Sequence, residues 1–304
     1  MSAVQIPLRS ALFVPGIQAR MLEKARDSQA DAIWVDLEDA VPADKREEAR
    51  RLAREALPHY RQATFVRVNA LATLLTWDDL MAVVSPALTG ILLPKTASAG
   101  DVALIEYLLS CAEQRNGCTV GSISLIVTIE SVEGLGNCRE IFNTSSKRLV
   151  GASVGTARKG DLQRSLGYEW SEGGMETLYV RSKVLAEAKL ARLPIIIEGP
   201  YVNHQDFEGL RRECRRARQF GYNGKAAIHP GQVDVINEAF SPSEEELDYY
   251  RRLVTEMEAA YARGVAAITF EHELADTAMY LLAKEVLAQA STRQQVGDAR
   301  KEDE

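Results

Sequence analysis

Eight short apolar, β-branched runs punctuate roughly the first 230 residues, and each is followed by a turn and then by a helical pattern. They fall at residues 11–14, 32–35, 64–68, 90–93, 123–129, 148–154, 193–197 and 225–228. Runs without polar alternation are buried on both faces, which is the condition of strands in a parallel sheet. The segments between them are amphipathic. Residues 43–57 place Ala49, Leu52, Ala53 and Ala56 on one stripe and leave Arg and Glu to water, and 101–114, 175–191 and 206–220 carry similar stripes. Eight alternating units of this length, with no GxGxxG after the first strand, predict an α/β fold: a closed (β/α)8 TIM barrel rather than an open doubly wound sheet.

After residue 240 the pattern changes. Ser241-Pro242-Ser243 stops the barrel, and Ser243 with Glu246 forms a capping box for a helix running to about Ala262. Residues 264–270 read as a short strand or loop and 276–290 as a final helix. Residues 291–304 read as a polar, disordered tail. The division expected is therefore 1–240, 241–290 and 291–304. A chain of 304 residues with 46% hydrophobic residues can bury a core of this size. Its net charge of −7 argues against a nucleic-acid partner. The opening MSAVQIPLRS has no apolar stretch behind a basic one, and no run nears the ~18 apolar residues of a membrane span, so no membrane association and a cytoplasmic location are expected. Cys111, Cys118, Cys138 and Cys214 show neither CxxC spacing nor nearby histidines, which points to free thiols rather than a zinc site or disulfides.

In a barrel of this kind the residues at the strand C-termini face the site. Strand 2 ends in Asp36-Leu37-Glu38-Asp39, strand 3 in Arg67-Val68-Asn69, strand 4 in Pro94-Lys95, strand 5 in Glu130-Ser131, strand 7 in Glu198 and strand 8 in His229. A single carboxylate or lysine past a strand is often only solvated, whereas carboxylates converging from separate strands offer hard oxygens suited to Mg2+. Arg67 has the bidentate fork that grips a substrate carboxylate. Lys95 among these carboxylates should keep its proton, which works against Schiff-base chemistry. His229 before Pro230 reads either as a base or as a hydrogen-bonded structural residue.

The assembled motifs resemble the citrate lyase β-subunit-like branch of the HpcH/HpaI aldolase/citrate lyase superfamily. They are RSALFVPG (9–16), DLEDAV (36–41), VRVN (66–69), LLPKT (92–96), TIESVEGLGN (128–137), GDLQRSLG (160–167) and GYNGKAAIHPGQVDVINEAFSPSEEE (221–246), in register along nearly the whole chain. The resemblance implies a barrel in which Glu130 and Asp161 bind Mg2+ and Arg67 holds the substrate carboxylate, with Glu38, Asp39 and Lys95 behind them. It also implies cleavage of a carbon–carbon bond in a 3-hydroxyacyl thioester carried by CoA or an acyl carrier. An Asp on a C-terminal lid reaches into a neighbouring subunit's site in the acyl-CoA lyases of this family. Asp276 matches it, implying a homo-oligomer, a trimer or a multiple of one. Three departures stand out: His272 and Ala278 replace the family's usual Gly and Pro, and three extra residues precede Asp161 after Gly155. The alternative for Asp276 is a helix N-cap. Inserted Arg158 and Lys159 contact CoA phosphates or form a solvated loop.

The leading functional expectation is a Mg2+-dependent lyase acting on citramalyl-CoA or malyl-CoA. A citryl-carrier lyase subunit is the runner-up. An aldolase for free 2-keto-3-deoxy acids and a non-catalytic barrel subunit are the further alternatives.

Overall fold

The computed structural model describes residues 8–302, with side chains through residue 292. The eight apolar runs form strands β1 (Ser10–Pro15), β2 (Ala32–Asp36), β3 (Ala63–Arg67), β4 (Gly90–Leu93), β5 (Ser124–Ile129), β6 (Leu149–Val154), β7 (Ile195–Glu198) and β8 (Gly224–Ala227). They pair in parallel in chain order, and β8 closes on β1 with Ser10 opposite Lys225. The expected α/β TIM barrel is the fold observed.

Strand parity divides the core into two layers. Ala11, Ala32, Trp34, Phe65, Leu92, Ile126, Ile195, Ile197 and Ala226 fill the barrel interior, while Ile33, Val35, Val66, Ile91, Val127 and Ile196 pack outward against the helices. The helix Arg46–Ala56 buries Ala49, Ala53 and Ala56, with Leu52 partly buried beside them, as its stripe requires. Ser98 and Asp101 form a capping box for the helix Ala99–Arg115, and Asp206 caps Phe207–Phe220 through the Gly209 amide. All four cysteines are free thiols. Among the described residues no helix is long and apolar enough to cross a membrane.

The described residues fall into two compact units, one up to Phe240 and one from Ser241 onward. In the second, Ser243 and Glu246 make the expected capping box for the helix Glu244–Ala262. Residues 264–270, expected as a short strand or loop, contain the first arm of a hairpin that extends beyond them: β9 (Ile268–Phe270) pairs antiparallel with β10 (Glu273–Ala275). Its turn residues Glu271 and His272 have φ of 45° and 70°, in the left-handed region where glycine is easiest. Strands of three residues with a Glu-His turn carry little of the alternation or turn chemistry by which a hairpin is recognised. Leu253, Met257, Phe270, Ala275 and Ala283 form this unit's core. The last helix, Thr277–Glu302, continues through most of the stretch expected to be a disordered tail. That stretch contains no proline and several strong helix formers, and polarity alone does not separate an unburied helix from a coil.

A buried ion pair ties the lower ends of β5 and β6 to the helix Ala99–Arg115. Glu113 accepts from both Arg148 terminal nitrogens (2.8 and 2.6 Å) and from the Gly121 and Ile123 amides (both 2.8 Å). Burial disfavours the charge, but Arg148 and the two amides outweigh it and hold the carboxyl below the usual range. Glu113→Gln should therefore destabilise the barrel by about 3–5 kcal/mol in chemical denaturation at neutral pH, because Arg148 stays buried without its counter-charge. A depressed folded-state pKa contributes stability above the unfolded value. The difference between the two proteins should therefore shrink as pH falls below about 4.3.

Candidate active site

The parity that puts Trp34, Phe65 and Ile126 inside the barrel puts Asp36 and Arg67, and then Thr128 and Glu130, at its C-terminal mouth. Together with Phe13, Ser153 and Asp161 they line a cavity of about 470 Å3. Asp36 and Arg67 sit opposite one another in register. Arg67 donates to Asp36 through Nε and Nη2, both at 2.7 Å, and its guanidinium lies 5.0 Å from the centre of the Phe13 ring. Phe13 is in turn set edge-on against Trp34 at 5.1 Å. Asp36 is locked by the Glu38 and Ala40 amides (2.9 and 3.2 Å). The fork expected to clamp a substrate carboxylate thus has one edge engaged by Asp36. Its Nη1 side faces Glu38 and Asp39, each at 3.4 Å.

Lys95 follows β4 with φ of 51°, a strained conformation for a residue with a side chain. Its backbone amide donates to Glu130 Oε1 at 2.7 Å, while its Nζ reaches Glu38 (2.8 Å), Asp39 (3.5 Å) and Asp161 (3.4 Å). Burial opposes the lysine's charge, yet the Glu38 hydrogen bond and the three carboxylates raise its pKa well above the ordinary value, so it is a fixed cation. Glu38 is buried, and burial raises its carboxyl against the pull of Arg67 and Lys95. Its Oε2 has no hydrogen bond.

Protein packs closely around Glu130, and this desolvation pushes its carboxyl up to about 7 despite the Lys95 amide. Gly155 makes the room: a Cβ there would stand 2.6 Å from Glu130 Cβ and 3.3 Å from its Oε2. The longer loop before Asp161 does not remove that residue from the cavity. Asp161 opens the helix Asp161–Leu166, receives Arg164 at 2.8 Å and lines the cavity with the Lys95 ammonium 3.4 Å away. Its desolvation is outweighed by Arg164 and Lys95, which keep it ionised.

The structure gathers Arg67, Glu130, Asp161, Glu38, Asp39 and Lys95 at one mouth, together with Asp36 and Phe13, whose roles the sequence reading did not assign. Two members of the expected ring lie elsewhere. Glu198 has the parity of Ile196 rather than of Ile195 and Ile197, and it meets Arg181 and Lys225 outside the barrel. His229 is exposed, accepts from the Gly231 amide at 3.1 Å and stacks on His204 at 5.1 Å, the structural alternative. Asp276 belongs to the second unit. There its Oδ1 accepts from the Ala278 and Met279 amides (2.9 and 3.3 Å), so it caps the last helix with its carboxylate exposed.

A carboxylate-rich mouth on a (β/α)8 barrel is shared by several enzyme families, and comparison with known proteins decides among them. The description of the HpcH/HpaI aldolase/citrate lyase family matches residues 9–230. The chain belongs to this family. It is 35% identical over 285 residues to citrate lyase subunit beta of Escherichia coli (strain K12), spanning 93% of each chain. To a (3S)-malyl-CoA thioesterase of Cereibacter sphaeroides (strain KD131) it is 33% identical over 287 residues, 93% of this chain and 95% of that one. Among solved structures it is similar to CitE of Mycobacterium tuberculosis in complex with magnesium, acetoacetate and coenzyme A. There the TM-score is 0.77 at 26% identity, over 95% of this chain and 100% of that one.

The Gly155 contact makes a prediction within this family's barrel. Gly155→Ala should displace Glu130 and lower stability by about 1–3 kcal/mol, the range for overpacking a close contact. Thermal denaturation and a crystal structure of the variant check it. An unchanged melting temperature with Glu130 in place would contradict the contact.

Proposed function

We propose that this protein is a Mg2+-dependent carbon–carbon lyase that cleaves a 3-hydroxyacyl-CoA thioester, of the citramalyl-CoA or malyl-CoA type, into a keto acid and an acyl-CoA. The observation that carries this reading is the charge balance at the barrel mouth. Five carboxylates (Asp36, Glu38, Asp39, Glu130 and Asp161) stand against three paired cations, Arg67, Lys95 and Arg164. A desolvated carboxyl held near 7 and an ionised one across the same cavity fit a divalent cation. Among the described residues no three His, Cys, Asp or Glu are grouped to enclose a metal. Two carboxylates completed by water and substrate oxygens match the habit of Mg2+.

Glu130 and Asp161 would hold Mg2+, which when bound supplies positive charge for the substrate's carboxylate and hydroxyl oxygens. The remaining chemistry falls to the chain. Arg67, fixed by Asp36 and Phe13, would meet charge on the departing keto acid at Nη1, the substrate carboxylate taking the place of Glu38 or Asp39 there. Lys95 keeps Glu130 oriented through its amide and, as a permanent cation, balances Glu38 and Asp39. For the carbon–carbon bond to break, the substrate hydroxyl gives its proton to a carboxylate of the mouth and becomes the keto group, the acyl-CoA enolate takes a proton at carbon from Asp276 of a neighbouring copy, the residue we assign to that step, and proton exchange with solvent restores both carboxyl groups. A homo-oligomer, a trimer or a multiple of one, follows from that assignment.

The likeness to citrate lyase subunit beta favours one second reading, a citryl thioester on an acyl carrier as substrate. The experiment is keto acid release from citramalyl-CoA, malyl-CoA and carrier-bound citrate, with Mg2+ and with EDTA. Release from a CoA ester should require Mg2+. Glu130→Gln should abolish Mg2+ binding in calorimetry, and Asp276→Ala should lower kcat by ~10²–10⁴ while leaving Mg2+ affinity unchanged. Turnover of the carrier-bound substrate alone would favour the second reading. Turnover that survives EDTA would contradict the metal assignment.

A further inference from the structure

Asp161 hangs on a segment that does little to hold itself. Between Gly155 and Asp161, residues 156–160 form neither helix nor strand, and an irregular stretch has many conformations over which to spread the carboxylate. Its residues border two cavities: Gly155, Ala157 and Lys159 line the one at the mouth, Thr156 and Arg158 a second of about 180 Å3. The helix that Asp161 opens is six residues long, too short to be stable by itself. The ion pair with Arg164 adds little, because that guanidinium is 80% exposed. The place of the carboxylate must therefore come from other restraints.

Gln163 supplies one. Its Oε1 accepts from the Lys159 amide at 2.7 Å, and its Nε2 donates to the Tyr168 carbonyl at 3.1 Å. One side chain thus ties the residue two before Asp161 to the residue after Gly167, whose φ of 74° ends the helix. Lys159 has φ of 64°, a conformation that a side chain resists, and the hydrogen bond holds it there. Arg158 adds a contact across the same span, 5.2 Å from the centre of the Trp170 ring.

Ser165 supplies the other. Its Oγ accepts at 3.0 Å from the Val132 amide, an otherwise orphaned donor at the start of the helix Val132–Gly136. Val132 is two residues past Glu130, so this bond links the Asp161 helix to the turn that follows Glu130. Neither Gln163 nor Ser165 lines the mouth cavity. What they do for it they do through Asp161.

We propose that Gln163 and Ser165 are positioning residues that fix the Asp161 carboxylate in the cavity that Glu130 also lines, so that a divalent cation meets two carboxylates already in place. The proposal rests on the assignment of Mg2+ to Glu130 and Asp161. Removing the partners that orient a metal ligand costs roughly 10–100-fold in affinity.

Calorimetric titration of the full chain with Mg2+, without a thioester, compares wild type with Gln163→Met and Ser165→Ala. Methionine keeps the length of the glutamine and loses both of its hydrogen bonds. Gln163→Met should weaken Mg2+ binding about tenfold, and Ser165→Ala should weaken it by a smaller factor. In the metal-free proteins, hydrogen exchange should quicken at the Lys159 amide in the first variant and at the Val132 amide in the second. Gln163 is half-buried and Ser165 exposed, so the melting temperature of the metal-free chain should stay at its wild-type value. A variant that binds Mg2+ as tightly as wild type overturns its residue's part of the proposal and leaves the metal assignment standing. Weaker binding accompanied by a lower melting temperature of the metal-free chain assigns the residue a structural role and overturns the proposal as well. A wild type that binds no Mg2+ overturns the metal assignment and the proposal with it.

Discussion

Glu130 carries a half-buried carboxyl at the barrel mouth, where protein crowds one side, the cavity opens on the other, and the Lys95 amide donates to it. Raising it from the ordinary range to about 7 corresponds to a penalty on the order of 3 kcal/mol for the ionised form. A chain bears such a penalty where a cation or a proton is to be held. Much of the barrel mouth follows from this constraint. Gly155 lacks a side chain because Glu130 occupies that volume, and Lys95 adopts a left-handed conformation at the position that aims its amide at Glu130. Asp161 stands ionised across the cavity beside the Lys95 ammonium.

Strand parity gives the molecule two charged clusters on either side of one wall. Interior positions carry Asp36, Arg67 and Glu130, where carboxylates outnumber cations. Exterior positions carry Glu198 and Lys225, which meet Arg181, Glu213 and Arg216 from the helices. The stretch 155–160 separates the two and ends at Asp161, so the loop that distinguishes this chain also sets the boundary between its cavities.

The barrel was legible because buried parallel strands announce themselves as unbroken apolar runs, and the carboxylate ring because Asp36–Asp39, Arg67, Lys95 and Glu130 directly follow such runs. Counting strand ends as a ring, however, ignores which way each side chain points. Parity against the interior residues Ile195, Ile197 and Ala226 excludes Glu198 and His229, and the same test selects Asp36 as the partner of Arg67. The β9–β10 hairpin escaped because its strands are three residues long and its turn is Glu-His. The continuation of the last helix past Ser291 escaped because a polar sequence marks the absence of burial rather than of hydrogen-bonded structure. Asp276 illustrates a different limit: an aspartate before a helix satisfies the cap whether or not it also serves a neighbouring site.

The central claim is that the surplus of carboxylate at the barrel mouth exists to hold a divalent cation. Its most direct measurement is a crystal structure grown with Mn2+ in place of Mg2+ and phased on the metal's anomalous signal. The account predicts one strong peak within coordinating distance of both Glu130 and Asp161, with the Lys95 ammonium displaced from Asp161. A cavity without that peak, or a metal held by neither carboxylate, would contradict it.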